Sequence, residues 1–205
     1  MISRRPRYGR AGRPHLTNMF MTMAKKNSQN PAPDVARMFQ LAEQYSIASN
    51  LLIKQSWGAK WGCGAPYLLV DSFAVELYLK CLFTLDTGKA ANHSHNHRDL
   101  FDALSSATKT QIRHAFNRVI DADDVLKNLA TLNPDATIVL DFDRSLDAAS
   151  DTFDKRRYAY DPPPAKEWYY AHLLRLAVRD VAKLDVRVHK FLDPEAGEPP
   201  RSIYG

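Results

Sequence analysis

Apolar residues recur along this chain at intervals of three and four in several separate stretches, and Gly or Pro marks most of the breaks between them. Such spacing lines one face of a helix with 3.6 residues per turn. Val35, Met38, Ala42, Tyr45, Ala48 and Leu52 predict a first helix over residues 34–57, with Pro33 ahead of it and Asp34 as its cap. Gly58, Gly62 and Gly64 then interrupt the chain around Trp61 and Cys63. A second helix is predicted over residues 65–87, with Gly88 as its stop signal. From Asp71 onward it holds almost no breaker and is mostly apolar, so it is expected at the buried centre of the fold. Ser72, Glu76, Lys80 and Thr84 fall four residues apart on one stripe of it. Glu76 ahead of Lys80 is the favoured orientation for an i,i+4 ion pair.

A short helix is predicted to start at His97 or Arg98 and to carry Leu100, Phe101 and Leu104. The next spans residues 108–132 with Ile112, Phe116, Val119, Leu126 and Leu129 on its core face, and Asn133-Pro134 ends it. Ile138, Val139 and Leu140 form a brief apolar run, read as a buried connector or one isolated strand. Phe142, Leu146, Ala149 and Phe153 define a helix over 141–158, which the prolines after Asp161 terminate. A last helix over 165–192 is expected to bury Tyr170, Leu173, Ala177, Val181, Leu184, Val188 and Phe191, a near-heptad stripe that needs a long antiparallel neighbour. The pattern shows no internal repeat. The fold class is therefore all-α, an antiparallel helical bundle of about five main helices plus one short one. The bundle is expected over 33–192, between a disordered basic arm at 1–32 and a polar tail at 193–205.

Charge changes this picture only at the N-terminus. The chain of 205 residues has a formal net charge of +5, a usual sign of a polyanion partner. Arg4, Arg5, Arg7, Arg10, Arg13, Lys25 and Lys26 all lie in the first 30 residues, which hold no acid. Residues 31–205 carry 21 bases against 23 acids and are close to neutral. The basic arm is a candidate contact for RNA or an acidic partner. Its alternative reading is an over-long start, since Met19, Met21 and Met23 are possible initiators. A hydrophobic content of 45% suits a globular protein. No apolar run is long enough to span a bilayer, and the start lacks the apolar core of a secretory signal, so no membrane partner is expected. Two cysteines, Cys63 and Cys81, suit a reducing cytosol, so the expected location is cytoplasmic; Cys81 is read as a small buried hydrophobe.

In that helical context, several residues form an ordered set: Ala74-Val75-Glu76-Leu77-Tyr78-Leu79-Lys80, then Gly88, His97-Arg98-Asp99-Leu100 and Arg157-Tyr158. Their order resembles the HEPN superfamily over residues 35–192. The resemblance implies a small helical bundle, often dimeric, of the kind common in prokaryotic toxin–antitoxin and antiviral systems. Many such domains are metal-independent ribonucleases, whose signature is an Arg followed four to six residues later by His on a helix. The arginines of the predicted helices do not show it: Arg98 leads to Asp102, Ala103 and Leu104, Arg113 to Asn117, Arg118 and Val119, and Arg157 to Asp161, Pro162 and Pro163. Leu184 and Asp185 occupy the places where His189 would need an Arg. The chain thus resembles members without the motif, which implies a non-catalytic, homodimeric module that binds RNA, a nucleotide or a protein in a prokaryotic defence or stress system, without a cofactor. The alternatives are a metal-independent ribonuclease with a divergent site, using His97 with Arg98 or Arg157, and a metal-binding protein.

Four groups of residues are candidates for chemistry. Glu76 and Lys80, with His97 and Arg98, are the catalytic candidates, because general acid–base work needs a tuned carboxylate or imidazole in a cleft; the alternative is a structural ion pair or a polar dimer seam. Arg156, Arg157, Tyr158 and Tyr160, joined by His97, are the ligand-binding candidates, since Arg grips phosphate and Tyr stacks on bases; the alternative is helix-end chemistry, with cations at a C-terminus. His93, His95 and His97 alternate and would share one side of an extended segment, as metal ligands can, with Asp99 nearest to complete a site; the alternative is an exposed polar loop. Asp141, Asp143 and Asp147 read as first-turn carboxylates, and Asp121, Asp123 and Asp124 as a solvated face, rather than magnesium ligands.

Overall fold

The structure is a computed structural model, and it describes residues 34–56, 64–124, 126, 128, 137–150, 152, 167–169 and 171–191. All of these lie in Ala32–Gly205, one of the two units into which the chain divides. Six α-helices account for most of the described residues: α1 (Val35–Ser56), α2 (Gly64–Thr87), α3 (His97–Asp102), α4 (Ser106–Ala122), α5 (Phe142–Ser150) and α6 (Ala171–Ala182). A 3-10 helix, Val186–Phe191, follows α6. The fold is an all-α bundle, as the periodicity predicts.

Local chemistry sets most of the helix ends. Asp34 accepts from the Arg37 amide, Ser105 from that of Thr108 and Asp141 from that of Arg144, so each start satisfies an amide that the helix leaves open. Asn96 does the same for α3 through the Asp99 amide. Gly88 ends α2 in the left-handed region at φ 69°, where its amide still reaches the Thr84 carbonyl at 2.8 Å; a side chain at this φ would be strained.

The helix α2 is the hub. It packs along α1 on one side and against α6 and α3 on others, while α4 lies on α6 and α5. Contacts run Val35–Cys81, Glu43–Tyr78 and Ser49–Asp71, with positions rising on α1 as they fall on α2, so the two helices are antiparallel. Phe39, Tyr78, Leu79, Phe101, Phe116, Leu146 and Leu173 form the centre of the core. Each such large apolar side chain contributes about 1.5–3 kcal/mol by leaving water. Phe142 bridges Phe101 and Phe116, with ring centroids 5.0 and 5.4 Å away.

Four expectations need correction. The buried face of α1 is Ala36, Phe39, Ala42, Ser46 and Ser49, while Val35, Met38, Tyr45, Ala48 and Leu52 sit half-buried at its edge. The fourth helix ends at Ala122, ten residues early, because Asp123 turns extended and its carboxylate accepts from the Leu126 amide, starting a separate turn. The apolar run at 138–140 is neither connector nor isolated strand: Thr137–Val139 pairs in parallel with Glu167–Tyr169, Ile138 opposite Trp168. The last helix consequently begins at Ala171, and it breaks after Ala182. At that break Asp185 accepts from the Arg187 amide at 2.9 Å and His189 Nε2 donates to the Lys183 carbonyl at 2.7 Å, bonds that compete with helix continuation. Leu184 is thereby turned out to 69% exposure, whereas Val188 stays buried. Phe153, Leu129, Tyr170 and the side chain of Phe191 lie outside the described residues.

Cys81 is fully buried, as its place in α2 predicts, and its thiol donates weakly to the Val35 carbonyl. Burial, with the nearby Asp185 carboxylate, pushes the thiol up to about 12. Cys81 should therefore resist N-ethylmaleimide at pH 8 in the folded chain and react only in denaturant, which mass spectrometry of the Cys81 peptide would read directly.

Candidate functional site

The polar stripe of α2 meets the loop before α3, and most of the sequence candidates gather there. Ser72, Glu76 and Thr84 are buried. Lys80 Nζ donates to Glu76 Oε1 at 2.7 Å, the ion pair that the i,i+4 spacing predicts. His95 Nδ1 lies 3.1 Å from both oxygens of the same carboxylate. The three side chains grade outward: Glu76 is 7% exposed, Lys80 16% and His95 52%. A buried carboxylate thus holds a lysine and a solvent-facing imidazole, an arrangement that fixes the orientation of the ring.

His97 sits deeper, at the first turn of α3. Its Nε2 is 3.1 Å from the Ser72 carbonyl and 3.3 Å from the Ser72 hydroxyl. A carbonyl only accepts, so Nε2 carries the proton and Nδ1 is a bare acceptor in the neutral ring. Nδ1 is buried and has no hydrogen-bond partner among the described residues. Burial drives this imidazole's pKa down to about 4, against weaker raising effects of the Ser72 carbonyl and Glu76. His97 is therefore a neutral strut between α3 and α2 at pH 7, with 1% of its surface exposed.

Arg98 points the other way, onto α5. Its guanidinium donates to Asp143 Oδ1 at 2.9 Å, to the Asp143 carbonyl at 2.9 Å and twice to Asp147 Oδ1, while its amide donates to the Ser150 hydroxyl. Arg113 of α4 grips the same Asp143 with both terminal nitrogens and lies 4.7 Å from the Phe142 ring centroid. The hydrogen bonds from Arg113, and then those from Arg98, hold the Asp143 carboxyl at about 2 despite partial burial. The acids flagged in the first turns of α5 are thus the cap, Asp141, and the partners of two arginines.

The alternating histidines are not brought together as metal ligands. His93 is exposed, His95 rests on Glu76 and His97 is inside. Among the described residues no group of three or more His, Cys, Asp or Glu side chains is placed to hold a metal ion. Asp99, the proposed fourth ligand, instead accepts from the Ser94 hydroxyl. Arg156, Arg157, Tyr158 and Tyr160 lie outside the described residues. So do Arg10 and His15, a pair of the ribonuclease spacing that falls in the N-terminal arm rather than on a predicted helix.

Sequence reasoning missed the most buried polar cluster among the described residues. Asp71 of α2 and Arg175 of α6 are 0% and 2% exposed. Arg175 Nε donates to Asp71 Oδ1 at 2.6 Å, and Ser49 donates to the same oxygen. The other guanidinium nitrogens reach Ser46 Oγ and, at 2.8 Å, Asn50 Oδ1 of α1. Asp71 Oδ2 is buried with no hydrogen-bond partner among the described residues. One turn along, Arg179 forks onto both oxygens of Glu43 at 2.6 and 2.7 Å, and the Tyr78 hydroxyl donates to Glu43 Oε1 at 2.6 Å. Burial would raise the Glu43 pKa, but the bonds from Arg179 and Tyr78 outweigh it and hold the carboxyl below its ordinary value. Burial and the Glu43 carboxylate in turn push the Tyr78 phenol upward. The available signal was polar residues on otherwise apolar faces: Arg175 beside Leu174 and Val178, Ser46 and Ser49 in line with Phe39 and Ala42, and Asp71 one heptad before Tyr78.

No protein-family model, curated protein or solved structure matches this chain. No described helix is long and apolar enough to cross a membrane. The fold and its polar clusters define the class, an all-α bundle whose ionic groups join helix to helix.

Proposed function

We propose that this chain is a non-catalytic, HEPN-like helical module that works by binding RNA or a nucleotide as a homodimer, in a prokaryotic defence or stress system. The resemblance carried by the α2 segment, Gly88 and His97-Arg98-Asp99-Leu100 supports the family. The observation that carries the non-catalytic reading is that two of the catalytic candidates, His97 and Arg98, serve the scaffold: His97 is a buried strut and Arg98 an α3–α5 clamp. A group so committed must give up its structural bonds before it can serve a substrate. Labelled single-stranded RNA should bind the full chain at low salt, and Arg157→Ala should weaken binding roughly tenfold, the size of one lost charge-assisted contact. Fluorescence anisotropy reads both, and sedimentation of the 23.2 kDa chain at twice that mass reads the dimer. Absence of RNA and nucleotide binding at low salt, with Arg157→Ala unchanged, would refute the ligand assignment.

One observation favours the ribonuclease reading, with a different histidine from the one the sequence suggests. His95, half exposed and seated on Glu76 beside Lys80, has the placement of a general base, which His97 lacks. Cleavage of labelled RNA in EDTA that His95→Ala abolishes and His97→Gln retains would establish this reading. Intact RNA with the unmodified protein would remove it.

A further inference from the structure

We draw no further inference here: the strongest candidate, the outer face of α1 where Leu41, Ile47 and Leu51 are exposed, is an apolar helix face for which nothing in the structure shows what covers it.

Discussion

Arg175→Ala should lower the free energy of unfolding by about 3–5 kcal/mol, the range for removing one partner of a buried ion pair. The reason is what the substitution leaves behind. Asp71 is fully enclosed, and without Arg175 its charge keeps, among the described residues, only the Ser49 hydroxyl. Ser46 and Asn50 lose a donor at the same time. A domain of this size is stable by about 5–15 kcal/mol, so the variant should be marginal at best. Arg175→Lys should recover little, because one ammonium cannot span Asp71, Ser46 and Asn50 as the planar fork does. Removing both charges together, as Arg175→Leu with Asp71→Leu, should cost less than Arg175→Ala alone, since no bare carboxylate remains. Urea unfolding followed by circular dichroism at pH 7 tests the series. A cost below about 1 kcal/mol for Arg175→Ala would mean that Asp71 is not left as a bare buried charge when its partner is removed.

Acid should weaken the fold through His97 well before the carboxylates titrate. The folded pKa of about 4 lies below the ordinary 6.5, so the unfolded chain takes up this proton first. The stability from the neutral ring is therefore complete above pH 6.5 and is lost as pH falls from 6.5 toward about 4. At 1.36 kcal/mol per pH unit, the full loss is about 3 kcal/mol. His172 is also held low by burial and adds a loss of the same sign. Asp143 and Glu43, whose folded pKa values are depressed, lose their contributions at lower pH. His97→Gln cannot take up the proton, so its urea midpoint should fall less than the parent's between pH 7 and pH 4.5. Parallel midpoint curves for the two proteins would exclude His97 as a source of acid sensitivity.

The sequence reveals short-range interactions and hides long-range ones. The ends of α2 and the starts of α3 and α5 are set by residues within three or four positions, and they are legible: Gly88, the helix beginning at His97, Asp141. The parallel pairing of Thr137–Val139 with Glu167–Tyr169 joins segments 30 residues apart, and no local period announces it. The break after α6 depends on the Asp185 carboxylate preferring the Arg187 amide, a competition that an apolar stripe running through Leu184 conceals. At the candidate site, the Glu76–Lys80 pair is visible because it lies within one turn, whereas the third member, His95, comes from a loop 19 residues on. Asp71 and Arg175 stand 104 positions apart. Each alone looks like a surface charge at the edge of an apolar helix. The serines of α1 carry the same lesson: Ser46 and Ser49 lie on its buried face, one position from the apolar stripe that the spacing predicts.

Leucine and alanine faces tolerate sliding, because one apolar rung resembles the next. The Asp71–Arg175 cluster removes that freedom from three helices at once: Arg175 of α6 is keyed to α2 through Asp71 and to α1 through Ser46 and Asn50. A slip of α6 by one turn, about 5.4 Å, would carry Arg175 from Asp71 to Glu43 or Arg179 from Glu43 to Asp71, and in either direction one carboxylate would lose its arginine. The cluster thus works as a vernier that admits one alignment of α1, α2 and α6. The double leucine variant should keep its helix content but show broadened amide resonances in these helices, as neighbouring alignments become accessible. Sharp, singly populated resonances in that variant would show that the apolar packing sets the alignment unaided.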